Sequence, residues 1–245
     1  MSTMAVIPAR YASSRFPGKP LALLAGKPMI QWVYERASRA CVDRVVVATD
    51  DARILESVLA FGGEAVLTSA DHRTGTDRVA EVVRDSAADL VVNVQGDEPL
   101  IPPEAIDRLV RRMRHTGAPM GTAAVPFDCS GADPGDPNAV KVVLDSEGFA
   151  LYFSRSLIPH VRQGGVGTAP LHHWGLYAYT REFLFRFVRW PRGPLEQCEM
   201  LEQLRALEHG GRILVILENE CSLGVDTPED LARVEALLRE MGPGR

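Results

Sequence analysis

The sequence predicts an α/β fold: a mostly parallel mixed sheet covered by helices, with an antiparallel flap in the second half. Three observations predict it. Short apolar or β-branched runs alternate with helical patterns through the first half, the signature of a parallel sheet. A turn, Asp145-Ser146-Glu147-Gly148, then separates two strand-like runs as a hairpin would. The length of 245 residues suits one large domain of this class, read here as two halves, 1–127 and 128–245.

The elements follow in order. Residues 5–7 form the first strand. Pro28 opens a helix to about residue 40, with Met29, Ile30, Val33 and Ala37 on one face. Residues 44–48 are β-branched and read as a buried parallel strand. A helix over 52–61 is stopped by Gly62-Gly63, and 65–68 is a third strand. Another helix begins at 77–84. Residues 90–94 form an apolar strand, and 103–115 a helix closing at Gly117. In the second half the hairpin strands are 139–144 and 149–153. Residues 164–168 read as a flexible loop and 174–179 as a strand. A single helix spans 195–209, and 213–217 is a strand. Thr227 is the N-cap of the last helix, with Pro228 at its first position and Asp230 at its third. Residues 128–137 are the one strong turn cluster.

Composition excludes several classes. Hydrophobic residues make up 46% and charged residues 24%, ordinary for a globular protein. The net charge of −5 argues against nucleic-acid binding, which needs a basic surface. No run of 18 apolar residues and no signal-peptide pattern occurs, so neither a membrane span nor secretion is expected. Cys41, Cys129, Cys198 and Cys221 form no C-x-x-C pair and read as buried free thiols, in keeping with a reducing cytoplasm. His172 and His173 are adjacent and on a strand would face opposite sides; a zinc site is not expected.

Against that acidic background, the loop after the first strand is locally cationic. Arg10, Arg15 and Lys19 can neutralise phosphate, and Ala12, Ser13, Ser14 and Gly18 let backbone N–H groups approach it. The polyanion this suits is a nucleoside triphosphate. The loop is not a Walker A motif, because Gly18-Lys19 runs into Pro20. Ligands of open α/β sheets bind beyond the carboxyl ends of the parallel strands. Three segments fall there: 8–19, 69–78 and 95–99. Asp97, a strand-end carboxylate, is the best ligand for Mg²⁺, which takes one or two carboxylates plus phosphate oxygens. Asp226 is the natural second ligand, since Thr227 can cap the helix in its place. Glu98 points away. Arg73 and Arg78 lie in a loop too cationic to be core and face phosphate, ribose or substrate; the bland alternative pairs Arg78 with Asp77 or Glu81. His72 reads equally as a solvated loop residue.

With these residues in view, the chain resembles the 3-deoxy-manno-octulosonate cytidylyltransferases, or CMP-Kdo synthetases. The resemblance runs nearly end to end. Its motifs are I-P-A-R-Y-A-S-S-R-F-P-G-K-P-L at 7–21, V-V-V-A-T-D-D at 45–51, D-H-R-T-G-T-D-R at 71–78 and V-N-V-Q-G-D-E-P at 92–99. N-A-V-K-V-V-L-D at 138–145, Y-F-S-R-S at 152–156, E-M-L-E-Q-L-R at 199–205 and G-V-D-T-P-E-D-L at 224–231 follow. Eight such motifs in order are specific.

The resemblance implies a nucleotidyltransferase-like three-layer fold and a cytoplasmic homodimer. The reaction implied is CTP plus Kdo giving CMP-Kdo and pyrophosphate, with Mg²⁺, for lipopolysaccharide synthesis. It implies that Pro8, Ala9, Arg10, Arg15, Lys19, Arg73 and Arg78 hold the nucleotide. Lys19, Arg10 and Asp97 are implied as catalytic, and Asp97 and Asp226 as metal ligands. Gln95, Arg155, His173, Tyr177 and Glu202 are implied to face the sugar. Trp174, Thr180 and a short segment over 161–170 depart from the family pattern, all on the sugar side. The alternatives are a CMP-sialic acid synthetase, a metal-dependent glycosyltransferase (Asp97-Glu98 is loosely like D-x-D), and a non-catalytic nucleotide-binding homologue.

Overall fold

The structure, a computed structural model, describes residues 2–12, 16–163, 169–219 and 222–241. It divides into two compact units, Met1–Asp107 with Ser222–Arg245, and Arg108–Cys221. The division therefore does not fall at residue 127. The chain leaves the first unit within a helix and returns to it for its last segment.

In the first unit, β1 (Thr3–Ala9) is buried along nearly its whole length. A 3₁₀ turn, Lys19–Leu21, follows, then the two-residue strands β2 (Leu23–Leu24) and β3 (Lys27–Pro28). Helix α1 (Met29–Ala37) buries Met29, Ile30, Val33 and Ala37 completely, the face that the apolar spacing defines. Pro28 is its N-cap and not its first residue, because pairing with Leu23 holds Pro28 extended at ψ 140°.

Next come β4 (Arg44–Thr49), α2 (Ala52–Ala60), β5 (Ala65–Leu67), α3 (Gly75–Val83), β6 (Leu90–Asn93) and α4 (Pro103–Thr116). Helix α3 starts earlier than expected. Thr74 and Asp77 close a capping box that fixes the start at Gly75. The parallel strands lie in the order β6-β1-β4-β5. The chain thus builds outward from β1 on one side and returns to place β6 on the other. Such a reversal is the topological switch point at which open α/β sheets bind ligands.

In the second unit, β7 (Met120–Pro126) leads into the short helix α5 (Phe127–Ser130) at the start of the expected turn cluster. The hairpin β8 (Lys141–Leu144) and β9 (Ala150–Ser154) forms as read. Then follow β10 (Leu171–Thr180), α6 (Arg181–Phe187), α7 (Pro194–Glu199), α8 (Leu204–Glu208) and β11 (Ile213–Leu217). Strand β7 pairs parallel with β11 and antiparallel with β10, and β8 joins β10 to β9. The fold is mixed α/β, with a parallel sheet and an antiparallel flap.

The expected single helix over 195–209 is two. Met200 takes the left-handed conformation at φ 52° and ends α7. Thr180 caps α6 through its hydroxyl, which accepts from Phe183 N at 3.3 Å; that is what this departure from the family pattern does locally.

Back in the first unit, α9 (Pro228–Met241) begins as predicted: Thr227 Oγ1 accepts from Asp230 N, and Asp230 Oδ2 accepts from Thr227 N. Its Val234 and Leu238 pack with Leu24, Met29 and Val225. Among the described residues, no helix is long and apolar enough to cross a membrane. Cys41, Cys129 and Cys198 are free but exposed, which corrects the expectation of burial. Cys41 lies in the loop between α1 and β4, and Cys129 and Cys198 in the short helices α5 and α7, where apolar neighbours in sequence do not enclose them. Cys221 and the expected loop at 164–168 lie outside the described residues.

Candidate active site

The carboxyl ends of β1 and β6 meet at the switch point. Gly96 permits this: a Cβ there would stand 2.8 Å from the Pro8 carbonyl oxygen. Gly75 likewise faces the Pro8 ring, where a Cβ would lie at 3.3 Å. Pro8 and Ala9 therefore form the floor under the turn that carries Gln95 and Asp97.

Above β1, Gly18 N donates to Tyr11 O at 2.9 Å, tying the two ends of the cationic segment together. Gly18 holds φ 73°, a left-handed conformation that favours glycine. The next residue, Lys19, opens the 3₁₀ turn and is thereby aimed. Its Nζ donates to Asp97 Oδ2 at 2.7 Å and to Asp226 Oδ1 at 3.2 Å. The side chain of Lys19 is only 12% exposed. Burial opposes its charge, yet the two carboxylates outweigh that and raise its pKa above the ordinary value. Asp226 is brought to Asp97 by the backbone: Val225 N donates to Asp97 O at 2.9 Å. Capping of the helix that follows is supplied by Thr227 and Asp230.

Arg10 Nη2 donates to His72 O at 2.6 Å, joining the loop after β1 to the loop after β5. His72 itself pairs with Glu81. Arg73 is exposed beside them. Arg78 is different. It lies on α3 with no exposure at all, donating to Asp50 Oδ2 at 2.7 Å and to the Thr68 hydroxyl. The expectation of a loop residue too cationic for the core is thus corrected: Asp50 and Thr68, at the ends of β4 and β5, supply the acceptors that let a guanidinium be buried. Arg15 lies outside the described residues. Glu98 is buried next to Asp97.

Of the five expected sugar-facing residues, Gln95 is in the first unit, 3.5 Å from Asn93 Oδ1. Arg155, His173, Tyr177 and Glu202 are in the second. There, β10 carries a bulge between Trp174 and Tyr177. The hydroxyl of Thr122, fully buried, sits under it and donates to Leu176 O at 2.9 Å. The bulge shortens the reach from residue 173 to 177, so the two rings stand 5.5 Å apart. His173 Nε2 lies 3.0 Å from Thr122 Oγ1, and Phe153 packs edge-on against the ring. Burial, with His172 beside it, pushes His173 down to about 3. Burial and the Glu202 carboxylate both raise the Tyr177 phenol, keeping it a neutral donor. Glu202 is 3.4 Å from Arg205 Nη2.

His173 gives a pH prediction. An unfolded histidine titrates near 6.5. The unfolded chain therefore takes up a proton, as pH falls from 6.5 toward 3, that folded His173 refuses, so its contribution is complete above 6.5 and declines below. In the variant His173→Gln, urea midpoints are expected to fall less steeply over that window than in the unmodified chain. Equal slopes would refute the assignment.

The sequence pattern of the cytidylyltransferase family matches residues 4–213. A 3-deoxy-manno-octulosonate cytidylyltransferase from Syntrophotalea carbinolica is 57% identical over 249 residues, covering 98% of this chain and 99% of the relative. The chain belongs to the 3-deoxy-manno-octulosonate cytidylyltransferase family. The enzyme of the same name from Syntrophobacter fumaroxidans is 54% identical and is covered, like this chain, completely. Among solved structures, a CMP:2-keto-3-deoxy-manno-octonic acid synthetase complexed with CTP superposes with a TM-score of 0.94 at 44% identity. That match covers 99% of this chain and 100% of the other. A cytidylyltransferase from Leptospira borgpetersenii shares the fold, at 16% identity and a TM-score of 0.67.

For a member of this cytidylyltransferase family, two residues were missed in the sequence as site components. Asp50, the first Asp of A-T-D-D, anchors Arg78. Glu199 accepts from Ser154 Oγ at 2.6 Å and from Arg155 N at 2.8 Å. An acidic residue at a strand end signals the first. Nothing local signals the second, because it depends on the break at Met200. Trp174, the other departure in this segment, is 5% exposed and is a core residue.

Proposed function

We propose that the chain transfers CMP from CTP to the anomeric hydroxyl of Kdo, releasing pyrophosphate and giving CMP-Kdo, a precursor for lipopolysaccharide. The observation that carries the reaction class is Lys19, held between Asp97 and Asp226 at the switch point. The sugar is supported by the full-length identity to relatives named for Kdo.

In the transfer the C2 hydroxyl oxygen bonds to the α-phosphorus as the bond from that phosphorus to the α–β bridging oxygen breaks, pyrophosphate departs with that oxygen, and the hydroxyl proton passes to water. Lys19 supplies positive charge where the α-phosphate gathers negative charge, a preorganised donor in a partly dehydrated place. Arg10, tethered at His72 O, and Arg73 add charge for the triphosphate, with Arg15 assigned to the same task by its position in the motif. Arg78 serves the nucleotide by bracing the ends of β4 and β5. Gln95, Arg155, His173, Tyr177 and Glu202 take the sugar.

The donor set at Asp97 and Asp226 fits Mg²⁺. Two carboxylates already converge on one cationic nitrogen, and phosphate oxygens complete such a site. The remaining ligands of the ion would come from the nucleotide's phosphate oxygens. When bound, the ion acts as a Lewis acid on phosphate and lowers the pKa of a coordinated hydroxyl. The cytoplasm is kept as the proposed location on the motifs alone. The homodimer is proposed from the motifs alone, with the flap over 139–153 and the strand over 174–179 as its contacts.

The test is pyrophosphate release with CTP and Mg²⁺, comparing Kdo, sialic acid and no sugar. Release with Kdo alone is expected. Release with sialic acid as the better acceptor would shift the reading to a CMP-sialic acid synthetase. No release with either, from protein that binds CTP, would leave a non-catalytic nucleotide-binding homologue.

A further inference from the structure

Lys141 lies in the middle strand of the flap, between β9 and β10, with no solvent exposure. A buried ammonium is costly unless every N–H is satisfied. Here all three are, and by main chain: Arg155 O at 2.6 Å, Ala139 O at 2.7 Å and Asp136 O at 3.0 Å. A methionine of similar length would fill the space without that cost, so the charge has a task in holding these carbonyls together.

Arg155 extends the same lashing. Its Nε donates to Glu199 O at 2.7 Å and its Nη1 to Pro137 O at 2.9 Å. Its own N–H and the Ser154 hydroxyl donate to the Glu199 carboxylate. Three segments, 136–139, 154–155 and 199–200, thus meet on two cations, and Glu202 follows two residues after the last of them. We propose that Lys141 is a positioning residue for the sugar, fixing the strand end that carries Arg155 and, through it, the turn that leads to Glu202. This rests on the reading of Arg155 and Glu202 as sugar-facing. Lys141 itself touches no substrate, since its three donors are spent.

The test is Lys141→Met, read by kinetics in both substrates. Because the lysine acts on the sugar side, KM for Kdo is expected to rise about tenfold or more, as sub-ångström misplacement of a binding group does. The dissociation constant for CTP, measured by calorimetry without sugar, is expected to stay within about twofold. A double-mutant cycle separates positioning from mere packing. If Lys141 acts through Arg155, Lys141→Met adds little to the loss in Arg155→Ala. An unchanged KM for Kdo, equal losses in both substrates, or fold-losses that multiply in the double variant would each overturn the proposal. Should Lys141→Met not fold, Lys141→Gln retains a donor without the charge. A folded glutamine variant with raised KM for Kdo supports the proposal, and one with unmodified kinetics overturns it. Failure of the unmodified chain to use Kdo at all would strike the function reading first and is seen before any variant is made.

Discussion

Asp97→Asn is expected to lower kcat by about a thousandfold, or roughly 4 kcal/mol of transition-state stabilisation. The substitution keeps shape and hydrogen-bonding size but removes one of the two carboxylates that converge on a single cation. The fold is expected to survive. The link to the segment before α9 uses the Asp97 backbone carbonyl, which accepts from Val225 N and is untouched. Lys19 retains Asp226. The Asp97 side chain is 35% exposed, so the ion pair contributes about 1 kcal/mol at most, worth roughly 2–4 °C in a chain of this size. Two measurements check this: steady-state rates across a Mg²⁺ titration, and a thermal melt. Near-normal turnover in a folded variant would falsify the metal assignment. A collapsed melt would show that Asp97 is structural.

Lys19→Ala is expected to lower kcat by about 10²–10³, the size of one charge-stabilising donor removed from a transition state. The geometry favours an effect on kcat over one on affinity. Lys19 is nearly buried, aimed by the turn after Gly18, and held fully charged by two acids. The ammonium is therefore in place before the reaction begins, and its electrostatic value is greatest where charge develops. Single-turnover rates with saturating CTP, set against the CTP dissociation constant, separate the two effects. A rise in KM alone, with kcat intact, would demote Lys19 to ground-state binding.

These two predictions concern residues that were legible in the sequence, and the reason is local. Lys19 opens the 3₁₀ turn, Asp97 lies in the turn after β6 and Asp226 shortly before α9, in segments whose glycines and prolines mark the turns. The apolar spacing of α1 and the capping of α9 were likewise readable, because both depend on neighbours within a few residues. Strand β7 was not. Its M-G-T-A-A-V-P run is rich in small residues with little β-propensity, and it is a strand because β10 and β11 flank it. Helix α6 was missed for a similar reason: its R-E-F-L-F-R-F run carries aromatics that pack on one another, Phe183 with Phe187 and Tyr179 with Phe187.

Arg78 and Lys141 show the limit most clearly. Charged residues are read as exposed because burial without partners is prohibitive. Their partners, Asp50 and Thr68 for the one and three backbone carbonyls for the other, come from positions 10 to 28 and 2 to 14 residues away in sequence. For Lys141 two of the three carbonyls are near in sequence, but only the folded hairpin turns them, together with Arg155 O, onto one nitrogen.

The sequence by itself determined the family, the alternation that makes a parallel sheet, and the residues that meet at its switch point. It could do so because each rests on short-range spacing or on residue chemistry that the chemistry of phosphate demands. Only the tertiary structure decided that Arg78 is a brace, that the helix over 195–209 breaks at Met200, and that a bulge in β10 draws His173 toward Tyr177. Those outcomes depend on which distant donors and acceptors can be satisfied at once, and only the folded chain brings them within hydrogen-bonding distance.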